Sequence, residues 1–353
     1  MTSGSGDGHE HSPDAGEHDI IAIGGSAGSV VALMDILGAL PAELPAAIFV
    51  VIHIPNYLPS LLPKVLGRRA ALPVAAARDG EAIAPGRVYV APPDRHLLVR
   101  PGRIELSRGP RENRFRPAID PLFRSAARAY GPRVVAVELS GALSDGAVGM
   151  LAVRSHGGVT VVQDPGDAAF PSMPESALQL AGADYIAPAA EIAPLLAALA
   201  ETPAVSRTGD PMDDDDARLT EVIRHDFREQ ELGERALETS IYACPDCGGV
   251  LWQAGDGPAT HFRCHVGHAY AAEALFALKS EEVEDALWMA VRLLKEKAAL
   301  SLQLARQTSA GSPAATRFTE QALLEERHAT VIRELIEIGP TPYAGPMVAE
   351  ESA

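Results

Sequence analysis

The sequence predicts an α/β fold: a doubly wound, mainly parallel, Rossmann-like sheet, followed by a small cysteine-bearing module and a helical C-terminal segment. Three observations carry this. Short β-branched runs alternate with Ala/Leu-rich stretches of helical length through the first part of the chain. Apolar residues make up 47% of the 353 residues but aromatics only 5%, a mix that suits strands covered by helices on both faces. The first strand-like run also ends in a glycine-rich turn before a helical pattern, where open parallel sheets present their ligand-binding ends.

The strands are expected at Asp19–Ile23, Ile48–Ile52, Val88–Ala91, Val134–Leu139 and Val159–Val162. Helices are expected at Ser29–Leu40, Asp120–Tyr130, Ala147–His156, Glu175–Gly182 and Glu191–Ala200. Leu97–Leu106, with Pro101-Gly102 at its middle, reads as a hairpin attached to the sheet. Residues 1–18 are polar and rich in Gly, Ser, Asp and His, a disordered-tail composition. Residues 19–203 form the expected α/β domain, and 204–239 an acidic linker ending in a helical stretch at Ala217–Thr239. A cysteine module is expected over 240–272, amphipathic helices within 273–340 (Glu281–Gln307 and Thr316–Ile338), and a tail over 341–353.

The net charge of −17 opposes binding to phosphate backbones, so nucleic acid is not an expected partner. The N-terminus lacks a basic, then apolar, signal-peptide pattern. No apolar run reaches the roughly 18 residues that suggest a membrane span. No membrane insertion and a cytoplasmic location are therefore expected. The cysteine count of three is odd and argues against a disulfide framework.

The sharpest local signal is IIAIGGSAGSVVAL, in which Gly24-Gly25-Ser26-Ala27-Gly28 fits G-x-S-x-G at a strand-to-helix turn. Small residues there permit a tight turn that holds the serine hydroxyl out of the sheet. Backbone N–H groups near Ala27 can then face a developing oxyanion. Phosphate binding is the competing use of such a turn, but the dinucleotide spacing is not met and no P-loop lysine follows. His53 directly follows a second strand, and Asp145 lies on a Gly-rich loop after another. Each alone has an ordinary structural explanation; Asp145, for instance, could cap a helix. Together they fall at one edge of the sheet and supply a nucleophile, its base and the carboxylate that orients the base. Ser26, His53 and Asp145 are thus the candidate triad of a serine hydrolase. The chain order differs from that of α/β-hydrolases.

The segments IGGSAGS, VIHIPN, GRVYVAPPDRHLLV, NRFRPAIDPLF, LSGALSDGAVGML and FPSMPESAL, in this order between about Asp19 and Leu199, resemble the catalytic domain of bacterial chemotaxis methylesterases, the CheB family. The resemblance implies hydrolysis of γ-glutamyl methyl esters on receptor-like signalling helices, often with glutamine deamidation, and no cofactor for catalysis. It carries the family triad onto Ser26, His53 and Asp145, and suggests substrate contacts for Ala27, Arg114 and Arg116. Three departures stand out. A receiver domain commonly precedes this domain in the family, and here only a short tail stands there, so activation by phosphorylation in cis is not expected. Ala27, Gly28 and Ser29 replace the family's usual Thr-Gly-Gly, and Ala142-Leu143 replaces a common Gly-Met pair. By the residues alone, Asp120 reads as a helix cap and His96, in PPDRH, as a candidate for the cleft wall.

Cys244-Pro-Asp-Cys247 is followed by Gly248-Gly249, and Cys264-His-Val-Gly-His268 comes later. Two such knuckles form a Cys3His ligand set with zinc-ribbon-like spacing. His261 and His265 are alternative fourth ligands. Redox use of the C-x-x-C pair would want a thioredoxin-like context, which is absent. A closed structural zinc site is expected, on a module that the acidic linker separates from the sheet. The competing functional reading is a catalytically degenerate scaffold that binds signalling partners through the hydrolase-like domain and the zinc module.

Overall fold

The computed structural model describes residues 16–53, 60–204, 238–254, 260–309 and 311–338. The expected tails, most of the linker and most of the helical stretch Ala217–Thr239 lie outside the described residues. The described residues divide into two compact units, within Met1–Leu275 and Phe276–Ala353.

In the first unit, strands β1 (Ile20–Gly25), β2 (Ala47–Ile52), β3 (Val74–Ala76), β4 (Arg87–Val90), β7 (Val134–Glu138), β8 (Val159–Gln163) and β9 (Tyr185–Ala187) form one sheet. Its order is β3-β4-β2-β1-β7-β8-β9, and every pairing is parallel. The chain winds outward from β1 through β2 to one edge, then returns to β7 on the other side of β1. That reversal puts the topological switch point at β1.

Residue alternation divides the core between the two faces. Ile20 and Ala22 of β1 pack with Ile119, Leu122 and Phe123 of α3 (Ile119–Tyr130) and Met150 of α4 (Ala147–Ser155). Ile21 and Ile23 pack with Leu33 and Leu37 of α1 (Ser29–Ala39), Leu66 of α2 (Leu62–Leu66) and Leu196 of α6 (Ala189–Ala200). Helix α5 (Ser172–Leu180) completes the layer that contains α3.

The short strands β3 and β9 and the helix α2 had no clear periodicity, being too brief to show one. The hairpin β5 (His96–Arg100) and β6 (Arg103–Ser107) forms its own two-stranded sheet instead of extending the large one. Gly16–His18, assigned by composition to the tail, pair with Thr202–Ala204.

Strands β10 (Glu238–Ala243), β11 (Val250–Ala254), β12 (His261–Cys264) and β13 (Ala269–Ala271) make a four-stranded antiparallel sheet in that order. β11 and β12, between the two knuckles, pair antiparallel. Glu238 and Thr239 are strand, not the end of a helix. This ribbon belongs to the first unit and is hydrogen-bonded to the loop before α3: Ala269 N–H donates to Arg111 O (3.3 Å) and Asn113 N–H to Ala269 O (2.8 Å). The expected separation of module from sheet domain therefore does not hold. Backbone groups at the ribbon's edge find partners on that loop. Helices α7 (Ala272–Gln307) and α8 (Pro313–Ile338) follow; α7 begins nine residues before the periodicity suggested, at Ala272 instead of Glu281. No described helix is long and apolar enough to cross a membrane.

Candidate active site and metal centre

Ser26 follows β1, His53 follows β2 and Asp145 lies on the loop after β7, so three adjacent strands deliver the three side chains. The turn at Ser26 depends on its glycines. A Cβ on Gly24 would overlap the Ile119 side chain, and one on Gly25 would come within 2.7 Å of Ser29. Gly28 has φ +78°, a left-handed conformation open to glycine. Ser26 N–H donates to Ser140 O (2.9 Å), and Ser29 Oγ–H to Ser26 O (2.6 Å).

His53 Nδ1 is 3.0 Å from Ser26 Oγ, and its Nε2 is 2.7 Å from Asp145 Oδ2. The carboxylate accepts from Nε2–H, which leaves Nδ1 to accept the serine proton. The ring stacks on Phe115 with centroids 3.5 Å apart and 5° between planes. Asp145 Oδ2 also accepts Ile119 N–H (2.7 Å), and Oδ1 accepts Asp120 N–H (3.3 Å) and Asn113 Nδ2–H (3.0 Å). Burial would raise its pKa, but the His53 hydrogen bond and charge, Ile119 N–H and Asn113 together hold it below the ordinary value.

Two further acids sit beneath it. Burial pushes Asp120 up to about 8, and the Asp145 charge adds to this; its Oδ1 accepts the N–H groups of Gly146 and Gly149. Asp120 thus caps α4, the following helix, not its own. Glu138 of β7 is fully buried against Gly146 with no hydrogen-bond partner among the described residues, and burial raises its pKa well above normal, with Asp145 and Asp120 adding. Of these three acids, only Asp145, next to His53, is shifted toward the charged form. Glu138 was missed because an acid within a β-branched run gives no local signal of its partners.

His96 is a core residue. It is buried, its Nε2–H donates to Pro110 O (2.8 Å), and Nδ1 accepts Ala118 N–H (3.3 Å). Arg116 holds Asp94 through Nε (3.0 Å) and Nη2 (2.6 Å), and donates to Arg108 O and Gly109 O. Arg114 is exposed. Asn113 and Arg114 both take left-handed backbone, with φ +48° and +73°. Leu143, at the position of the Gly-Met departure, has φ +68°, a conformation costly for a branched side chain. Ala27 lies at the turn into α1, its carbonyl accepting Ser140 Oγ–H (2.8 Å).

In the ribbon, Cys244, Cys247, Cys264 and His268 bring their donor atoms within 4.8 Å of one another. Cys247 Sγ–Cys264 Sγ and Cys244 Sγ–His268 Nδ1 are each 3.6 Å, and Cys264 Sγ–His268 Nδ1 is 3.4 Å. A tetrahedral zinc site with metal–sulfur bonds of about 2.3 Å and metal–nitrogen bonds of about 2.0–2.1 Å has edges of roughly 3.5–3.8 Å. The donors therefore fit such an ion, and the sulfur separation is far too long for a disulfide. Each knuckle turns at a glycine with positive φ, Gly248 (+70°) and Gly267 (+102°). His261 is buried within β12 and His265 lies near Trp252; neither belongs to the cluster.

A family model described as CheB methylesterase matches residues 21–196. A putative protein-glutamate methylesterase/protein-glutamine glutaminase of Leptospira interrogans is 37% identical over 179 residues, which cover 50% of this chain and 93% of that protein. The chain belongs to the CheB methylesterase family. The protein-glutamate methylesterase/protein-glutamine glutaminase 4 of Anaeromyxobacter dehalogenans is 40% identical over 185 residues, 51% of this chain; the match spans only 52% of that relative's length. The crystal structure of the Thermotoga maritima CheB methylesterase catalytic domain matches with a TM-score of 0.50 and 35% identity, covering 52% of this chain and 99% of that one. The CheB match leaves the ribbon and the C-terminal helices outside it.

Proposed function

We propose that this chain is a serine hydrolase that removes methyl esters from glutamate side chains of chemoreceptor-like signalling proteins and also deamidates glutamine. The observation that carries this is the relay Ser26 Oγ–His53 Nδ1–Nε2–Asp145 Oδ2, at 3.0 and 2.7 Å, on the switch point of the sheet. The activities that its relatives are named for are of the kind such a relay performs, which favours the enzyme over the degenerate scaffold.

In the proposed mechanism, His53 Nδ1 takes the Ser26 proton as Oγ attacks the ester carbonyl carbon. Asp145 stabilises the imidazolium through Nε2–H and fixes the ring's tautomer. Backbone N–H groups in the first turn of α1, beside Ala27, face the oxyanion. The bond to the methoxy oxygen breaks, and methanol departs with the proton from Nδ1. Water, deprotonated at Nδ1 in turn, attacks the acyl-serine; the bond to Ser26 Oγ breaks, Nδ1 returns its proton to Oγ, and the glutamate leaves. With glutamine, ammonia leaves in place of methanol. The scheme needs only these side chains, the backbone and water.

Exposed Arg114 meets acidic receptor helices, and Arg116, committed to Asp94, holds the loop that presents it. Cys244, Cys247, Cys264 and His268 hold a structural zinc ion, which supplies cross-linking and no chemistry. The enzyme works in the cytoplasm, without membrane insertion and without nucleic acid as a partner. Methanol release from methylated receptor by wild type and Ser26→Ala tests the reading. Loss of at least about a thousandfold is expected; near-wild-type release overturns the triad.

A further inference from the structure

We propose that the Cys/His ribbon is a positioning element for the His53–Asp145 pair, with Asn113 as the link, so that metal loading of the ribbon sets the rate at Ser26. This rests on the triad reading above.

Segment 111–115 touches both partners of the serine. Asn113 Nδ2 donates to Asp145 Oδ1 (3.0 Å) and to Asp120 Oδ2 (3.2 Å), and the Phe115 ring lies on the His53 imidazole. With both amide hydrogens so used, Asn113 Oδ1 faces away and accepts the N–H of Ala271 in β13 (2.9 Å). Asn113 is buried, and its amide orientation is fixed from two sides. The backbone of the segment is held to the same strand: Asn113 N–H donates to Ala269 O (2.8 Å) and Arg111 O accepts Ala269 N–H (3.3 Å).

β13 begins at Ala269, the residue after His268, and Cys264 N–H donates to His268 O (3.0 Å). The knuckle glycine Gly267 packs on Pro110, where an added Cβ would come within 2.8 Å of the ring. Tyr270, in the middle of β13, is buried with its hydroxyl 3.2 Å from Cys244 Sγ and 2.5 Å from Asp246 Oδ2. The strand that holds Asn113 is therefore itself held by the residues proposed to bind the metal. The opposite anchor of the loop is Arg116 on Asp94; if that anchor suffices alone, the ribbon has no influence on Asp145. The ribbon lies outside the region that the family model matches, so this link is an addition to the shared catalytic domain.

The test uses the full chain, loaded with zinc or stripped by a chelator under reducing conditions, alongside Asn113→Ala and Ala271→Pro. The proline removes one donor and leaves all four ligands in place. Turnover of a small activated ester and amide hydrogen exchange are measured on each. Stripping is expected to lower kcat about ten- to a hundredfold with KM within about twofold, and zinc to restore it. Exchange at Ile119 and Asp120, whose amides bind Asp145, should quicken. Ala271→Pro should keep its zinc and lose kcat similarly, and stripping Asn113→Ala should cost little more than the substitution itself. Unchanged kcat on stripping, or a zinc-loaded Ala271→Pro with full kcat, overturns the proposal. If no Ser26-dependent turnover exists in zinc-loaded protein, the hydrolase reading fails, and exchange at Ile119 and Asp120 still decides whether the ribbon holds Asp145.

Discussion

The sheet edge around Ser26 and the ribbon around Cys244 both hold a few polar atoms still, by different means. Beneath Ser26, β1, β2 and β7 are buried along their whole length and backed by apolar clusters on both faces. The strands that deliver the proposed triad are held by that packing. The ribbon has far less to bury. Leu251, Phe262 and Tyr270 are covered, while Ile241, Val250 and Val266 are exposed. On the proposed reading its order comes from four ligands on a metal and from the loop it leans on. A large core holds its strands without outside help, whereas a small one makes its order conditional on an ion.

Removing the metal should separate the two regions most widely. A structural zinc ion contributes about 10–16 kcal/mol in small zinc-finger peptides. Chelation or Cys244→Ser should therefore unfold the strands between 240 and 271 and leave the seven-stranded sheet standing. Calorimetry should show the ribbon's transition lost and the main one kept; a single transition that collapses with the metal would break the comparison. Metal analysis of protein purified without chelators should find one zinc per chain, and finding none would remove its basis.

Asp145→Asn tests the rigid side. An amide cannot fix the His53 tautomer, and kcat should fall about 10⁴-fold with the fold intact. A tenfold loss or less would reduce Asp145 to a structural hydrogen-bond acceptor. Gly24→Ala presses on Ile119, whose N–H binds Asp145. Overpacking of this kind costs about 1–3 kcal/mol, and kcat should fall with Tm. An unchanged Tm would mean that this edge of the sheet yields more readily than its burial implies.

The smallest effect is on pH dependence. Asp120 has its folded pKa raised from 3.8 to about 8, so between those values the unfolded chain has lost a proton that the folded one keeps. Stability should then fall as pH rises from about 4 to 8. Buried Glu138 adds a slope of the same sign. Asp120→Asn should make the decline of Tm with pH shallower, and an unaltered slope would show that Asp120 is ionised in the folded protein.

The strands, the tight turn at Ser26 and the metal-ligand spacing were legible in the sequence because each is a local pattern. Short β-branched runs alternating with Ala/Leu-rich stretches, small residues where the backbone must pass closely, and a glycine at each knuckle leave their mark within a few residues. Ser26, His53 and Asp145 could be gathered from separate segments because parallel winding sends the carboxyl ends of β1, β2 and β7 to one edge. What the sequence could not settle are relations between groups distant along the chain. Of three acids, Asp145 is shifted toward the charged form while Asp120 and Glu138 are pushed toward the neutral form, and that depends on which of them faces His53 and which are buried beside the Asp145 charge. Asn113 is one polar residue in a loop until the fold puts Asp145 on one side of its amide and Ala271 on the other. The seat of the ribbon was likewise decided in three dimensions: an acidic linker suggested separation, but pairing of backbone groups with the 111–113 segment overrode it. Hydrogen bonds and charges act over a few ångströms of space regardless of separation along the chain, so only the folded structure could assign them.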